Sequence, residues 1–169
     1  AIDGGIDWEA DLVSQISQYL SEAGNNRVFN STVMPVDGSV NQATTPLEVY
    51  ATERYDNIVG PPNMTYTFPV TLNGNYEVRL YMGNSFINTS EAGERIFDVA
   101  IEGKVLPLLN DIDLSGTYGH ETGTVITHIV KVDDGNLDIS FLHGAIENPL
   151  INAIEILDAP DDDTPIYVY

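Results

Sequence analysis

Most of the chain alternates between apolar and polar residues with a period of two, which is typical of β-strands with one buried face. The pattern is clearest in segments that end at turns rich in Gly, Asn or Asp. These segments are 64–70, 76–81, 96–101, 125–132, 137–141 and 151–157. Many short strands separated by turns predict an antiparallel sandwich or jelly roll, rather than a fold that alternates strands with helices.

Two turns between these segments carry recognisable turn chemistry. Asn73-Gly74-Asn75 lies between two alternating segments, and an Asn-Gly step in that position predicts a β-hairpin. Glu102-Gly103-Lys104 predicts a second tight turn, from the strand over 96–101 into a short return strand at Val105-Leu106.

Only the first part of the chain departs from the period of two. Leu12, Ile16, Tyr19 and Leu20 are spaced for one apolar face of a short helix, which Gly24-Asn25-Asn26 would end. The predicted fold class is therefore all-β: an antiparallel, jelly-roll-like β-sandwich with one short N-terminal helix.

The charge of the chain is almost entirely negative. Its 169 residues include 26 Asp and Glu against 6 Lys and Arg, which gives a formal net charge of −20. Such a chain repels phosphate backbones and anionic lipids, and this disfavours nucleic-acid binding and membrane-surface functions. No apolar run is long enough to predict membrane insertion. The charge is explained by solubility in a salty exterior or by carboxylates that hold Ca²⁺.

The composition changes near the C-terminal end. Asp158-Ala159-Pro160 leads into Asp161-Asp162-Asp163 and then into the apolar segment Ile166–Tyr169. We therefore predict a folded domain over residues 1–158, followed over 159–169 by an acidic, Pro-containing linker and the start of another segment. The chain shows no signal peptide and begins at Ala1 rather than Met. We expect it to be a module with covalently linked neighbouring domains.

The sequence offers no catalytic constellation. It has no cysteine, and His120, His128 and His143 lack zinc-ligand spacing. Asp111-Ile112-Asp113 places two carboxylates on one face of an extended segment. This pair could bind Ca²⁺ as a structural ion, or it could face solvent.

Several aromatic residues lie outside the alternating strands, and Tyr50, Tyr55 and Phe86 are the clearest examples. On loops among Asn, Asp and Glu, such rings are suited to a sugar, because a ring face takes the C–H patch of a pyranose while amides and carboxylates bind its hydroxyls. Alternatively, each ring could belong to the core.

Several segments resemble the malectin and malectin-like carbohydrate-binding module family, in order over roughly residues 1–158. They are 2–5, Trp8-Glu9-Ala10-Asp11, Tyr50-Ala51-Thr52-Glu53-Arg54-Tyr55, 73–80, Phe97-Asp98-Val99 within 95–103, Asp111-Ile112-Asp113 and 148–156. The resemblance implies a jelly-roll-like, galactose-binding-domain-like β-sandwich whose loops bind a glycan without catalysis. It also favours a structural role for the pair of aspartates.

The resemblance implies a set of binding residues as well. Tyr55 and Phe86 stand where the family has binding aromatics, and Glu147 stands where it has an acid. Asn84, Asn148 and Tyr50 complete the expected carbohydrate contacts. The sequence departs from the family at Ser85, where an aromatic is usual, and the segment 27–45 offers no counterpart to its earliest site tyrosine.

The leading hypothesis is a carbohydrate-binding module of a larger bacterial protein, at the cell surface or secreted. It would recognise a glucan or an algal or cell-surface polysaccharide, and its host would be a polysaccharide-degrading enzyme or an adhesin. The alternative is a sugar-blind spacer in an adhesin that depends on calcium. We expect the module itself to have no enzymatic activity.

Overall fold

The computed structural model describes residues 8–22, 26–31, 34–72 and 74–159. The strands in this part are β1 (Leu20–Glu22), β2 (Asn26–Asn30), β3 (Thr52–Asp56), β4 (Met64–Pro69), β5 (Gly74–Met82), β6 (Ile96–Ile101), β7 (Lys104–Val105), β8 (Thr124–Val132), β9 (Asn136–Ile146), β10 (Leu150–Ile151) and β11 (Ala153–Asp158). The helical elements are α1 (Leu114–Thr117) and 3₁₀ turns at Leu47–Tyr50, Ile87–Thr89 and Pro107–Leu109. Apart from Ala159, the predicted linker lies outside the described residues.

The strands form three sheets in which each neighbouring pair is antiparallel. The largest sheet has the order β1-β4-β9-β6-β7, and a second has the order β11-β5-β8. A third, small sheet has the order β10-β3-β2. The expected all-β sandwich is confirmed.

The core lies between the β1-β4-β9-β6-β7 sheet and the β11-β5-β8 sheet, and it is built from alternate residues of their strands. Because side chains two apart in a strand share a face, each of the strands β5, β6 and β9 sends one apolar row inward. The rows are Val78, Leu80 and Met82; Phe97, Val99 and Ile101; and Leu137, Ile139 and Phe141. Nearly complete burial of these rows makes the hydrophobic effect the main source of stability.

The predicted N-terminal helix is wrong for residues 8–22. Leu12 and Gln15 instead form an isolated bridge, and Leu20–Glu22 pairs with β4. In a helix the Ser17 N–H would donate to a backbone carbonyl, but here it donates a hydrogen bond to the Asp11 side chain. A helix of this length is also marginal in water without packing of its apolar face. No helix in the described ranges has the length and hydropathy to cross a bilayer.

The two turn predictions had opposite outcomes. The hairpin at Asn73-Gly74 is wrong, because β4 pairs with β1 and β9 whereas β5 pairs with β8 and β11, so the chain passes from one sheet to the other. The turn at Glu102 and Gly103 is confirmed, since Ala100 pairs with Val105 around it. Both turn residues have positive φ, 51° and 69°, as a type I′ hairpin requires.

The predicted closing strand is divided at Asn152 into β10 and β11. The Asn152 side chain accepts a hydrogen bond from the Gly83 N–H at 2.7 Å and donates one to the Thr52 carbonyl at 2.8 Å. Because of this break, β10 pairs with β3 whereas β11 pairs with β5. The small sheet is thereby attached to the sandwich, and its exposed face carries the site described next.

Candidate functional site

The small sheet forms one wall of a cleft of about 360 Å³. Glu53, Tyr55 and Asn57 are spaced two residues apart along β3 and just beyond its end, so they share one face. Phe29 of β2 lies opposite Glu53 in the register and lines the same cleft.

Two connections, β5–β6 and β9–β10, supply the other walls. Phe86 follows β5, and Arg95 directly precedes β6. Glu147 and Asn148 lie in the connection from β9 to β10, which returns the chain to β3. All four residues line the cleft. Its residues therefore come from four separate regions of the chain that only the fold brings together.

The aromatic part of the cleft consists of Phe29, Tyr55 and Phe86, and all three side chains are partly exposed. Phe29 and Phe86 contact each other edge to face, with ring centroids 5.9 Å apart and planes at 74°. This geometry is a preferred one for aromatic pairs and holds both rings in place. The cleft therefore offers fixed apolar surface at the protein exterior.

Glu147 lies at the exposed rim of the cleft in a left-handed backbone conformation, with φ of 65°. Its carbonyl oxygen lies 3.2 Å from His143 Nδ1, and its Oε2 accepts a hydrogen bond from Asn148 Nδ2 at 3.1 Å. A left-handed glutamate costs conformational energy. The surrounding contacts compensate for it and set the direction in which the carboxylate and the amide present their polar atoms.

The cleft floor, defined here as Glu53 and Arg95, is a buried ion pair. The side chains are 1% and 4% exposed, and Arg95 Nη1 lies 3.4 Å from Glu53 Oε1. Burial raises the pKa of Glu53, while the Arg95 guanidinium and the Ser85 backbone N–H act in the opposite direction. Glu53 Oε2 and Arg95 Nε have no hydrogen-bond partner among the described residues. A buried polar group left in this state costs about 1–3 kcal/mol.

Tyr50 and Asn84, two of the expected sugar contacts, lie in the interior and do not line the cleft. Both are 0% exposed. The Tyr50 hydroxyl donates a hydrogen bond to the Thr124 carbonyl at 2.9 Å, and Asn84 Nδ2 donates to the Thr89 carbonyl at 2.6 Å. These two expectations are corrected because neither side chain lines the cleft and the polar groups of both are hydrogen-bonded inside the protein.

The candidate calcium residues Asp111 and Asp113 have structural partners. Asp113 caps α1, with Oδ1 accepting from the Gly116 N–H at 2.9 Å and Oδ2 accepting from the Gly93 N–H at 2.7 Å. Asp111 Oδ2 accepts from Asn110 Nδ2 at 2.7 Å. No group of three or more His, Asp or Glu suited to a metal occurs in the described part of the chain. Calcium binding stays a prediction.

The sequence analysis placed Tyr55, Phe86, Glu147 and Asn148 at the site but missed Phe29, Glu53, Asn57 and Arg95. Once Tyr55 is assigned to a strand, the period of two points to residues 53 and 57. Phe29 comes from the segment in which no aromatic counterpart was identified. Arg95 carried no local signal, since only the β5–β6 connection brings it to β3.

Comparison with protein families identifies the chain as similar to the "Malectin domain" over residues 1–154. Malectin of Mus musculus is 28% identical over 130 residues, which are 69% of this chain and 42% of the mouse protein. Receptor-like protein 4 of Arabidopsis thaliana is 31% identical over 98 residues, which are 57% of this chain and 15% of that protein. The chain thus spans less than half of the length of these relatives.

Solved structures share the fold. The extracellular domain of ANXUR2 from Arabidopsis thaliana matches with a TM-score of 0.70 at 21% identity, over 82% of this chain and 40% of that one. A β-glucuronidase of Bacteroides uniformis matches with a TM-score of 0.62 at 17% identity, over 90% of this chain and 15% of that one. At these identities the likeness establishes the arrangement of strands and nothing about ligands.

Proposed function

Since this chain belongs to the malectin domain family, we propose that it is a non-catalytic carbohydrate-binding module whose ligand occupies the cleft. The observation that carries the proposal is the combination of three partly exposed rings with Asn57, Glu147 and Asn148 in one cleft. The rings take the apolar face of a pyranose, and the amides and the carboxylate bind its hydroxyl groups.

The cleft favours weak, reversible binding. It is lined by few residues, and those at its rim are exposed. A ligand that contacts one or two sugar units would bury little area and gain a few hydrogen bonds in competition with water. We expect dissociation constants from micromolar to millimolar, or about 4–8 kcal/mol of binding free energy.

We further propose that the module works outside the cell, as part of a larger bacterial protein that degrades or adheres to a glucan or to an algal or cell-surface polysaccharide. Two observations support this setting. The chain spans under half of its malectin relatives, and the matched ANXUR2 structure is described as an extracellular domain. Repeated weak contacts along a polymer suit such a module, because linked binding events raise avidity.

Catalysis is the alternative to test, because Glu53 and Glu147 both line the cleft and glycosidases use two carboxylates. Glu53 is paired with Arg95 and almost fully buried. A general acid must hold a proton and deliver it to the glycosidic oxygen, whereas a carboxylate in an ion pair with a guanidinium is only an acceptor. We therefore assign binding, and not hydrolysis, to this cleft.

The proposal is tested with Phe86→Ala and Tyr55→Ala on a glycan array, followed by calorimetry with the best ligand. We expect each variant to bind about tenfold more weakly, because a stacked ring contributes about 1–2 kcal/mol. Tyr19→Ala is the matched control, since Tyr19 is a partly buried ring that packs on Phe68, 4.8 Å away, outside the cleft. It should leave the affinity unchanged.

Three results would contradict the proposal. The first is a parent protein that binds no glycan on the array. The second is full affinity in both cleft variants. The third is release of sugar from the ligand at a rate that Glu147→Gln abolishes, which would establish hydrolysis. A loss of stability of about 3 kcal/mol or more in Phe86→Ala or Tyr55→Ala would mark that ring as part of the core.

A further inference from the structure

We propose that the cleft floor contacts the ligand directly and binds one sugar hydroxyl between the Glu53 carboxylate and the Arg95 guanidinium. The inference rests on the proposed function, since it presumes a glycan in this cleft. It adds two specificity-determining residues to the aromatic and rim contacts, and it defines the chemistry that they select.

The geometry of the pair supports this assignment. A single contact of 3.4 Å joins Arg95 Nη1 to Glu53 Oε1, although a guanidinium and a carboxylate can form two parallel hydrogen bonds at shorter distances. Glu53 Oε2 therefore remains as an acceptor and Arg95 Nε as a donor, with no partner among the described residues. Both side chains line the cleft.

A hydroxyl group fits this pair of unused atoms. Buried polar groups in proteins are almost always hydrogen-bonded, so the unpartnered atoms of two cleft-lining side chains point to a ligand group that satisfies them. A hydroxyl can donate to the carboxylate and accept from the guanidinium at the same time. A methyl group can do neither, and an ammonium group cannot accept.

The charge of the cleft favours a neutral sugar over a uronic acid. Among the lining residues, Glu53 and Glu147 oppose the single cation Arg95. The whole chain carries a formal charge of −20. A ligand carboxylate could pair with Arg95, but it would meet two carboxylates in the same cleft, and like charges close together repel. A hydroxyl group binds without that repulsion.

A structural role alone is the competing explanation. A buried ion pair contributes little net stability, because desolvation offsets its Coulomb attraction, and apolar replacement of both partners is often neutral. A purely structural pair would change the melting temperature when altered and leave the ligand affinity unchanged. A ligand-contacting pair would lower the ligand affinity when altered, whatever the change in melting temperature.

The first experiment measures affinity and melting temperature in Arg95→Lys and Glu53→Gln. The probes are maltose, laminaribiose and digalacturonic acid, followed by calorimetry or NMR titration. Arg95→Lys keeps the positive charge but removes Nε and the planar fork, and we expect it to weaken binding of the neutral disaccharides about tenfold. Glu53→Gln should have an effect of the same size.

The matched control is Arg79→Lys. Arg79 pairs with Glu77 and Glu155 and is not one of the residues that line the cleft. It should leave the affinity unchanged.

Three outcomes would contradict the inference. If both floor variants bind as tightly as the parent while Phe86→Ala binds more weakly, the inference is overturned and the proposed function stands. Tighter binding of digalacturonic acid than of the neutral disaccharides would also overturn it. Failure of the parent to bind any of the three probes or any glycan on the array would overturn both proposals.

A second measurement on the unaltered protein covers the case in which a floor variant does not fold. The Arg95 Nε–H gives its own NMR signal, and the chain contains only three other arginines. We expect this signal to shift as maltose or laminaribiose saturates the cleft, and to shift less with the monodeoxy analogue that lacks the contacting hydroxyl. A signal that stays in place while the Phe86 amide shifts would overturn the inference.

Discussion

At the scale of single residues, the candidate side chains differ in whether they line the cleft. Asn84 and Asn148 are the same residue type, but the first is 0% exposed and outside the cleft, and the second lies partly exposed in it. Asn84 acts on the site indirectly, because its Oδ1 accepts a hydrogen bond from the Phe86 N–H at 3.3 Å. Its role is to hold the loop that carries the ring.

We expect Asn84→Ala to destabilise the protein by about 2–3 kcal/mol. The change removes hydrogen bonds to the Thr89 carbonyl and to Ser115 Oγ, 2.6 and 2.8 Å away, and leaves buried partners unsatisfied. Urea unfolding measures the loss. Asn148→Ala is the control, with an expected loss within about 0.5 kcal/mol. Equal losses in the two variants would show that Asn84 has no such structural role.

At the scale of elements, the sequence predicted strands well and their connections poorly. The period of two located β4, β6 and β8 because each strand packs one face on the core, and that requirement is local to the strand. The pairing of β5 with β8 instead of β4 depends on packing between distant segments, which an Asn-Gly step cannot report. The N-terminal segment misled for a similar reason, since contacts from Asp11 to Arg54 and Tyr66 replace a helix.

The sequence likewise predicted part of the site and missed the rest. Tyr55, Phe86, Glu147 and Asn148 were accessible from motif resemblance alone. Glu53 and Arg95 were not, because a sequence does not reveal that a loop before β6 places a cation beside β3. Tyr50 misled because it closes a 3₁₀ turn that packs on the core, and a tyrosine near a polar loop gives the same signal whether it is buried or exposed.

Asp113 is the element-scale test of the calcium prediction. Because its carboxylate caps α1 and also accepts from the Gly93 N–H, we expect Asp113→Ala to cost about 1–2 kcal/mol of unfolding free energy. The cost should be the same in EDTA and in millimolar Ca²⁺, as measured by thermal unfolding. Asp111→Ala, which leaves the cap in place, should cost less.

A calcium site at this position would give a different pattern. Ligand binding to the folded state adds stability that grows with ligand concentration. Ca²⁺ would then raise the melting temperature of the parent and leave Asp113→Ala unaffected. That result would support calcium binding at this position.

At the scale of the whole molecule, the acidic surface and the buried phenols respond to pH in different ranges. The carboxylates give the chain its formal net charge of −20 at pH 7, whereas phenols ionise only in alkaline solution. There the tyrosines matter, because burial raises the pKa of Tyr50, Tyr66, Tyr81 and Tyr118. Nearby acids strengthen the effect, as with Asp11 beside Tyr66 and Glu155 beside Tyr81.

These shifts predict alkaline unfolding. A phenol whose pKa is raised in the fold contributes stability that is fully present below its unfolded pKa, near 10, and that falls as the pH rises toward the folded value. Each fully buried phenol then costs up to about 1.4 kcal/mol per pH unit above pH 10. We expect the melting temperature to fall steeply above pH 10 at constant ionic strength, with tyrosinate absorbance appearing together with the loss of circular dichroism.

Tyr50→Phe, which cannot ionise, tests the assignment to this phenol. The variant should have a lower melting temperature at pH 7, because it loses the hydrogen bond to the Thr124 carbonyl. Above pH 10 its melting temperature should fall less steeply with pH than that of the parent. Tyrosinate absorbance that rises well before the fold is lost, or an unchanged slope in Tyr50→Phe, would show that these phenols ionise without unfolding the core.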